Sequence, residues 1–217
     1  MEDLNWYNIR VRKMILNEVG AELELFLLDK DNNILEPIKY GFPSDEMGFL
    51  IEIRSEHSDN YQDVIDSMET LMRINIYKAG EMGFIVRRSP SVEVSKEFQD
   101  YISEKYRHSM LPDQTRNIYG SKESHHTGFS NNLATAGLHI HFSSRRIFGT
   151  KCLQRELPIE SIVRNLDNKY KEDILLSNRI PGEYELKSHG FEYRSLPASI
   201  DYKKAIKVAL NILKEVK

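Results

Sequence analysis

Four short segments of this chain share a pattern that few folds can accommodate: each alternates apolar residues with charged or imidazole ones at a period of two. They are Gly20-Ala21-Glu22-Leu23-Glu24-Leu25, Ile51-Glu52-Ile53-Arg54, Leu138-His139-Ile140-His141-Phe142-Ser143 and Phe191-Glu192-Tyr193-Arg194. Successive side chains of a strand point to opposite faces, so each segment sets two polar groups side by side on one face and an apolar row on the other. Elsewhere, in residues 61–78, 159–176 and 201–216, apolar residues recur at the three-to-four spacing of a helix face. Strands and helices alternate irregularly and no repeat is present. The expected class is α+β: a single curved, mainly antiparallel sheet, charged on its inner face, with helices packed on its greasy outer face.

The remaining elements are read from turns and caps. The first strand is expected over 19–28, ended by Asp-Lys-Asp-Asn-Asn, and others over 48–55, 84–87, 137–143 and 190–196. Asp59 or Asn60 is positioned to cap the 61–78 helix and Gly80 to stop it, and a more polar helix is expected over 95–108. Residues 109–136 carry Pro112, Gly120, Gly128, Asn131, Asn132 and the adjacent His125 and His126 without a sustained period. A loop this long in a compact domain is usually functional, so it is expected to serve the active site.

Composition narrows the class of function. With 217 residues, 40% of them hydrophobic, the chain can bury one sizeable core, and a single domain over 1–217 is expected. Thirty basic side chains against 33 acidic ones leave a net charge of -3, which gives no general field for binding nucleic acid. The single cysteine, Cys152, excludes an intrachain disulfide and a cysteine-cluster metal site, and fits a reducing compartment. No window approaches the roughly 20 apolar residues of a membrane span, and the first residues do not resemble a signal peptide. A cytoplasmic protein without a membrane partner is the expectation.

One alternating pair is ordinarily a solvated sheet face, but four such pairs point elsewhere. Carboxylates are poor strand formers and repel when adjacent, so Glu22 and Glu24 call for a cation between them. Carboxylate oxygens suit Mg²⁺ or Mn²⁺, an imidazole tilts the preference toward Mn²⁺, and Mg²⁺ commonly shares its coordination with substrate phosphates. His139 and His141 belong to the same face, and Ser143 continues it. His125, His126 and His189 lack a partnered pattern and read as surface or loop residues. No His-Glu-x-x-His helix, nucleophile elbow, Walker loop or Rossmann glycine loop is present.

These motifs resemble a known superfamily. Gly137-Leu138-His139-Ile140-His141-Phe142-Ser143 is similar to the Gly-x-His-x-His-x-Ser strand of glutamine synthetases and glutamate-cysteine ligases. Gly20-Ala21-Glu22-Leu23-Glu24 resembles their opening Gly-x-Glu-x-Glu strand, and Phe191-Glu192-Tyr193-Arg194 their late Glu-x-Arg strand, in the same order along the chain. With Gly48 to Ser55 and Gly190 to Pro197 added, the set looks most like the compact carboxylate-amine ligases of bacteriophages and some bacteria. The resemblance spans about residues 18 to 200 through four short motifs.

The resemblance implies a glutamine-synthetase-like partial barrel and an ATP- and Mg²⁺- or Mn²⁺-dependent ligase. Such an enzyme joins a small-molecule or peptide carboxylate to an amine through an acyl phosphate. By the same carry-over, Glu22, His139 and Glu192 would hold the metal nearer the nucleotide, and Glu24 and Glu52 the metal nearer the carboxylate. Arg194 and Arg179 would contact phosphate, Arg54 the substrate carboxylate, and His141 and Ser143 would line the nucleotide side. Two departures stand out. Where relatives carry a further basic residue near Tyr184 this chain has Glu183 and Glu185, with Lys187 the nearest replacement, and a β-grasp domain ahead of the first strand is not expected. A small-molecule kinase of the same fold and a metal-binding module without catalysis are the alternatives, and oligomeric state is open.

Overall fold

Alternation drives the first strand further than any other. Strand β1, Glu18–Leu28, buries Val19, Ala21, Leu23, Leu25 and Leu27 from one face. It is long enough to pair on one edge with β2, Leu50–Arg54, and on the other with two strands in succession. The computed structural model describes residues 16–106, 115–120, 129–130, 132–144 and 157–216. Among these, β3 (Ile85–Arg87) pairs with the C-terminal end of β1 and β8 (Gly137–Ser143) with its N-terminal half. Strands β9 (Glu183–Lys187) and β10 (Gly190–Pro197) form a hairpin, and β10 lies against β8. The sheet runs β2-β1-β8-β10-β9 and ends on the short β5 (Arg116–Asn117), every pairing antiparallel and the sheet open.

Among the described residues four α-helices accompany it: α1 (Tyr61–Glu81), α2 (Lys96–Lys105), α3 (Ile159–Leu176) and α4 (Tyr202–Glu215). Asn60, Ser95 and Asp201 cap α1, α2 and α4 by accepting a hydrogen bond from a backbone N–H of the first turn. Helices α1, α3 and α4 pack against the main sheet. Their buried side chains, such as Val64, Met68, Val163, Leu166, Ala209 and Leu213, join Leu23, Ile53, Ile140, Phe142 and Phe191 in one core. Tyr193, on the apolar face of β10, donates its hydroxyl to Asp167 Oδ1 of α3 at 2.7 Å, so the sheet is tied to the helix layer by a buried polar contact as well.

The α+β class and the mainly antiparallel sheet agree with the sequence reading, but several details correct it. A second sheet of β4 (Ser91–Glu93), β6 (Phe129–Ser130) and β7 (Leu133–Thr135) is present, so the protein does not have a single sheet. Segment 109–136 is not wholly loop, since β5, β6 and β7 lie within it. His125, His126 and Cys152 lie outside the described residues. Gly80 does not stop α1, which continues to Glu81, because an exposed glycine lowers helix propensity without forbidding the helix. Strand β9 was not expected; its Tyr184 and Leu186 alternate with Glu183, Glu185 and Lys187, but the run is short.

Candidate active site

The strand register assembles the polar residues. Across β1 and β2, Glu22 faces Arg54 and Glu24 faces Glu52; across β1 and β8, Glu22 faces His139 and Gly20 faces His141. Across β8 and β10, His141 faces Glu192, which in turn faces Glu185 of β9. A one-residue slip in any of these pairings would turn a whole polar row into the core, so the apolar alternation fixes the site as firmly as it fixes the fold. Beyond Tyr193 the register shifts, and Arg194 and Ser195 together oppose the single residue His139. This β-bulge keeps Arg194 beside Glu192 and returns Leu196 to the core opposite Leu138, although Leu196 has the same sequence parity as Glu192 and Arg194.

Within this frame the charges interlock. His139 Nδ1 lies 2.9 Å from Glu192 Oε1 and 3.7 Å from Glu22 Oε2, and its Nε2 is 3.9 Å from Glu24 Oε1. His141 Nε2 lies 3.1 Å from Glu22 Oε1 and 3.9 Å from Glu192 Oε2. Arg54 Nε pairs with Glu22 at 3.0 Å and also with Glu52. Arg194 Nη1 bridges Glu192 and Glu185, both at 3.0 Å, and Lys187 Nζ bridges the same two carboxylates at 2.9 Å. Glu24 accepts a hydrogen bond from the Gly137 N–H. Arg179, just before β9, donates from Nη2 to the Arg194 carbonyl at 2.7 Å, which brings a second guanidinium to the β8–β10 end of the site.

Burial and pairing compete over the ionisation of these groups. Burial pushes the Glu22 carboxyl up, but hydrogen bonds with His139 and His141 outweigh it and hold the group well below the usual carboxylate range. Glu192 follows the same logic: burial raises it, while the His139 hydrogen bond and charge, together with Arg194, bring it well below 4.5. For His139, burial and Arg194 pull the pKa down, yet Glu24 and Glu192 prevail and raise it from 6.5 to about 9. Glu52 moves upward, first by burial and then by the Glu22 charge. Burial also lowers Arg179 and, aided by the His141 charge, His57.

These directions predict the pH dependence of the metal-free protein. Glu22 and Glu192 contribute stability that is present above about pH 4.5 and lost as pH falls. His139 contributes stability that is fully present below about pH 6.5 and lost as pH rises through about 9, on the order of 3 kcal/mol. Thermal unfolding in EDTA is therefore expected to peak between about pH 5 and 6.5 and decline toward pH 9. His139→Gln should flatten the alkaline decline; an unaltered decline would contradict this account.

No family model and no curated protein matches this sequence.

The chemistry of the site therefore rests on its own donor set. All ten residues singled out in the sequence, Glu22, Glu24, Glu52, Arg54, His139, His141, Ser143, Arg179, Glu192 and Arg194, belong to this sheet face or its margin. Glu22, His141 and Glu192 each offer a ligand atom, all within 4.8 Å of one another, and Glu24 and Glu52 add carboxylates in direct cross-strand register. This oxygen-rich set with one or two imidazoles fits Mg²⁺ or Mn²⁺. No helix among the described residues is long and apolar enough to cross a membrane.

Sequence reasoning passed over His57 and set His189 aside. His57 Nδ1 is 2.9 Å from Ser143 Oγ, and the ring packs beside those of His141 and His189. His57 follows β2 in an irregular stretch where Ser55 bonds to Ala21 and Ser58 to Val19, leaving two residues opposite Gly20. No period marks such a position. His189 occupies the two-residue turn between Lys187 and Gly190, where an isolated histidine carries no pattern either.

Proposed function

We propose that this protein is an ATP-dependent ligase that joins a carboxylate to an amine, using Mg²⁺ or Mn²⁺ on the polar sheet face. The observation that supports the reading is the convergence of Glu22, Glu24, Glu52 and Glu192 with His139, His141, Arg54, Arg179 and Arg194 from four strands and one loop. Such a face offers cation sites bordered by guanidinium groups, which is what a triphosphate and a carboxylate require together. The order of the motifs along the chain, in which it resembles the glutamine synthetase superfamily, adds the reaction class.

Glu22, Glu192 and one or both imidazoles would hold one ion, and Glu24 with Glu52 a second. The ions would supply charge neutralisation on the phosphate oxygens. Arg194 would bind the transferred phosphoryl group once released from Glu192 and Glu185, Arg179 would add charge beside it, and Arg54 would orient the acid. The substrate carboxylate oxygen attacks the γ-phosphorus, the bond to the β-phosphate oxygen breaks, and ADP leaves. The amine nitrogen then attacks the acyl carbon, phosphate departs, and the nitrogen loses a proton to give the amide. Lys187, close to Glu192, takes the place of the basic residue that the resemblance would put near Tyr184.

One observation favours a second reading. Glu185 lies 3.0 Å from Arg194 and 2.9 Å from Lys187, so two of the cations that would face phosphate are already neutralised. A metal-binding module without catalysis is consistent with that arrangement. A screen of acids and amines with Mg²⁺ or Mn²⁺ and ATP, read by ADP, phosphate and amide, separates the two. Amide formation requiring both substrates is the expected result. A phosphorylated acid that persists with amine present would select a kinase instead, and metal binding without ATP turnover would select the module.

A further inference from the structure

Beyond the carboxylates, three imidazoles meet where β1, β8 and the β9–β10 turn come together. The rings of His57 and His141 are 5.3 Å apart between centroids, those of His57 and His189 5.2 Å, and those of His141 and His189 6.1 Å. Each ring offers a nitrogen within 4.8 Å of the other two. We propose that His57, His141 and His189 form a second metal site, selective for a transition ion of the Zn²⁺ class over Mg²⁺.

The geometry is close to what such an ion requires. A Zn–N bond of about 2.0–2.1 Å places each ring centroid about 3.2 Å from the ion, so two rings at a tetrahedral angle are about 5 Å apart. Two of the three separations already have that value, and the third needs to close by about 1 Å. The donor set is nitrogen only, which suits Zn²⁺ and its neighbours and is poor for Mg²⁺. A trio of protein ligands leaves a fourth position for water or for Glu22, whose Oε1 lies 3.1 Å from His141 Nε2.

Several features of the chain favour such a site. A Cβ at Gly20 would lie 2.1 Å from His57 Cδ2 and 2.6 Å from its Nε2, so the missing side chain on β1 is what lets the imidazole lie over the strand opposite His141. Ser143 Oγ, hydrogen-bonded to His57 Nδ1, fixes the ring and leaves Nε2 for a metal, the usual arrangement around a histidine ligand. His141 is only 5% exposed, and its Nδ1 has no hydrogen-bond partner among the described residues. Because His141 belongs to both metal groups, and a neutral imidazole donates through one nitrogen at a time, an ion on the three histidines would leave His139 to complete the Glu22 and Glu192 set.

This inference is independent of the ligase reading, since a protein without ATP turnover can still show it. Metal-stripped protein is titrated with Zn²⁺ in a large excess of Mg²⁺ by calorimetry, and with Co²⁺ by visible absorption. One Zn²⁺ per chain, retained against Mg²⁺, and the intense spectrum of tetrahedral Co²⁺ are expected. His189→Ala, at a half-buried turn residue whose backbone carbonyl keeps its bond from the Ser144 N–H, and His57→Ala should each weaken Zn²⁺ by more than about 100-fold, and Ser143→Ala by about 10-fold, with circular dichroism confirming that each variant is folded. The proposal is overturned by a parental protein that holds no Zn²⁺ against Mg²⁺, or by parental Zn²⁺ affinity in both histidine variants.

Discussion

Replacing Gly190 with alanine is expected to destabilise the protein by about 3 kcal/mol or more, the largest effect of any single methyl group in the site. A Cβ at this position would lie 1.9 Å from the carbonyl oxygen of Phe142, a backbone atom of the paired strand that cannot swing away. The residue also has φ of 157°, which side chains of L-residues rarely adopt. Relief would require β10 to separate from β8 where Gly190 pairs with Ser143, and that separation would carry Glu192 away from His139 and His141. Chemical denaturation of the Gly190→Ala variant should show a lower midpoint, together with weaker metal binding. A midpoint equal to that of the parent would contradict the close approach of these strands.

Glu192→Gln and Arg194→Ala are expected to lower turnover by about 10²- to 10³-fold each while costing the fold about 1–3 kcal/mol. Glu192 is 1% exposed and lies where His139, Arg194 and Lys187 converge, so its charge organises three cations and one proposed metal ion. Glutamine keeps the shape and removes the charge. Arg194 and Lys187 retain Glu185 as a partner in that variant, which limits the loss of stability. Because turnover should fall far more than stability, circular dichroism and denaturation of each variant must accompany the rate. Folded variants that catalyse at the parental rate would remove both residues from the chemistry.

The polar face was legible in the sequence because it rides on a two-residue period. Glu22, Glu24, Glu52, Arg54, His139, His141 and Glu192 each alternate with residues that the core claims, so burial of Leu23, Ile53, Ile140 and Tyr193 dictates where their neighbours point. What escaped the sequence reading depends on contacts without a period. Glu185 and Lys187 enter that reading only as a departure from the resemblance, and the five-residue strand that brings them to Glu192 and Arg194 owes its identity to pairing with β10. His57 and His189 lie in an irregular crossing and a two-residue turn, and are brought together only by tertiary packing. The three-stranded sheet of β4, β6 and β7 is built from segments of two or three residues, too short for any pattern to reveal.

Gly20 shows how the two kinds of information combine. In sequence it is the opening residue of a Gly-x-Glu-x-Glu motif; in the fold it is the gap over which His57 reaches the site. The motif alone gives a reason for a glycine only by resemblance. The packing supplies a physical one, and it makes β1 part of both proposed metal groups.

The most direct test of the proposed nucleotide chemistry is calorimetric binding of a non-hydrolysable ATP analogue, with and without Mg²⁺ or Mn²⁺, to the parental protein and to folded Glu192→Gln. Binding that requires the metal and weakens by at least about 10-fold in the variant is the predicted result. Absence of nucleotide binding under all of these conditions would contradict the ligase reading and the kinase reading together.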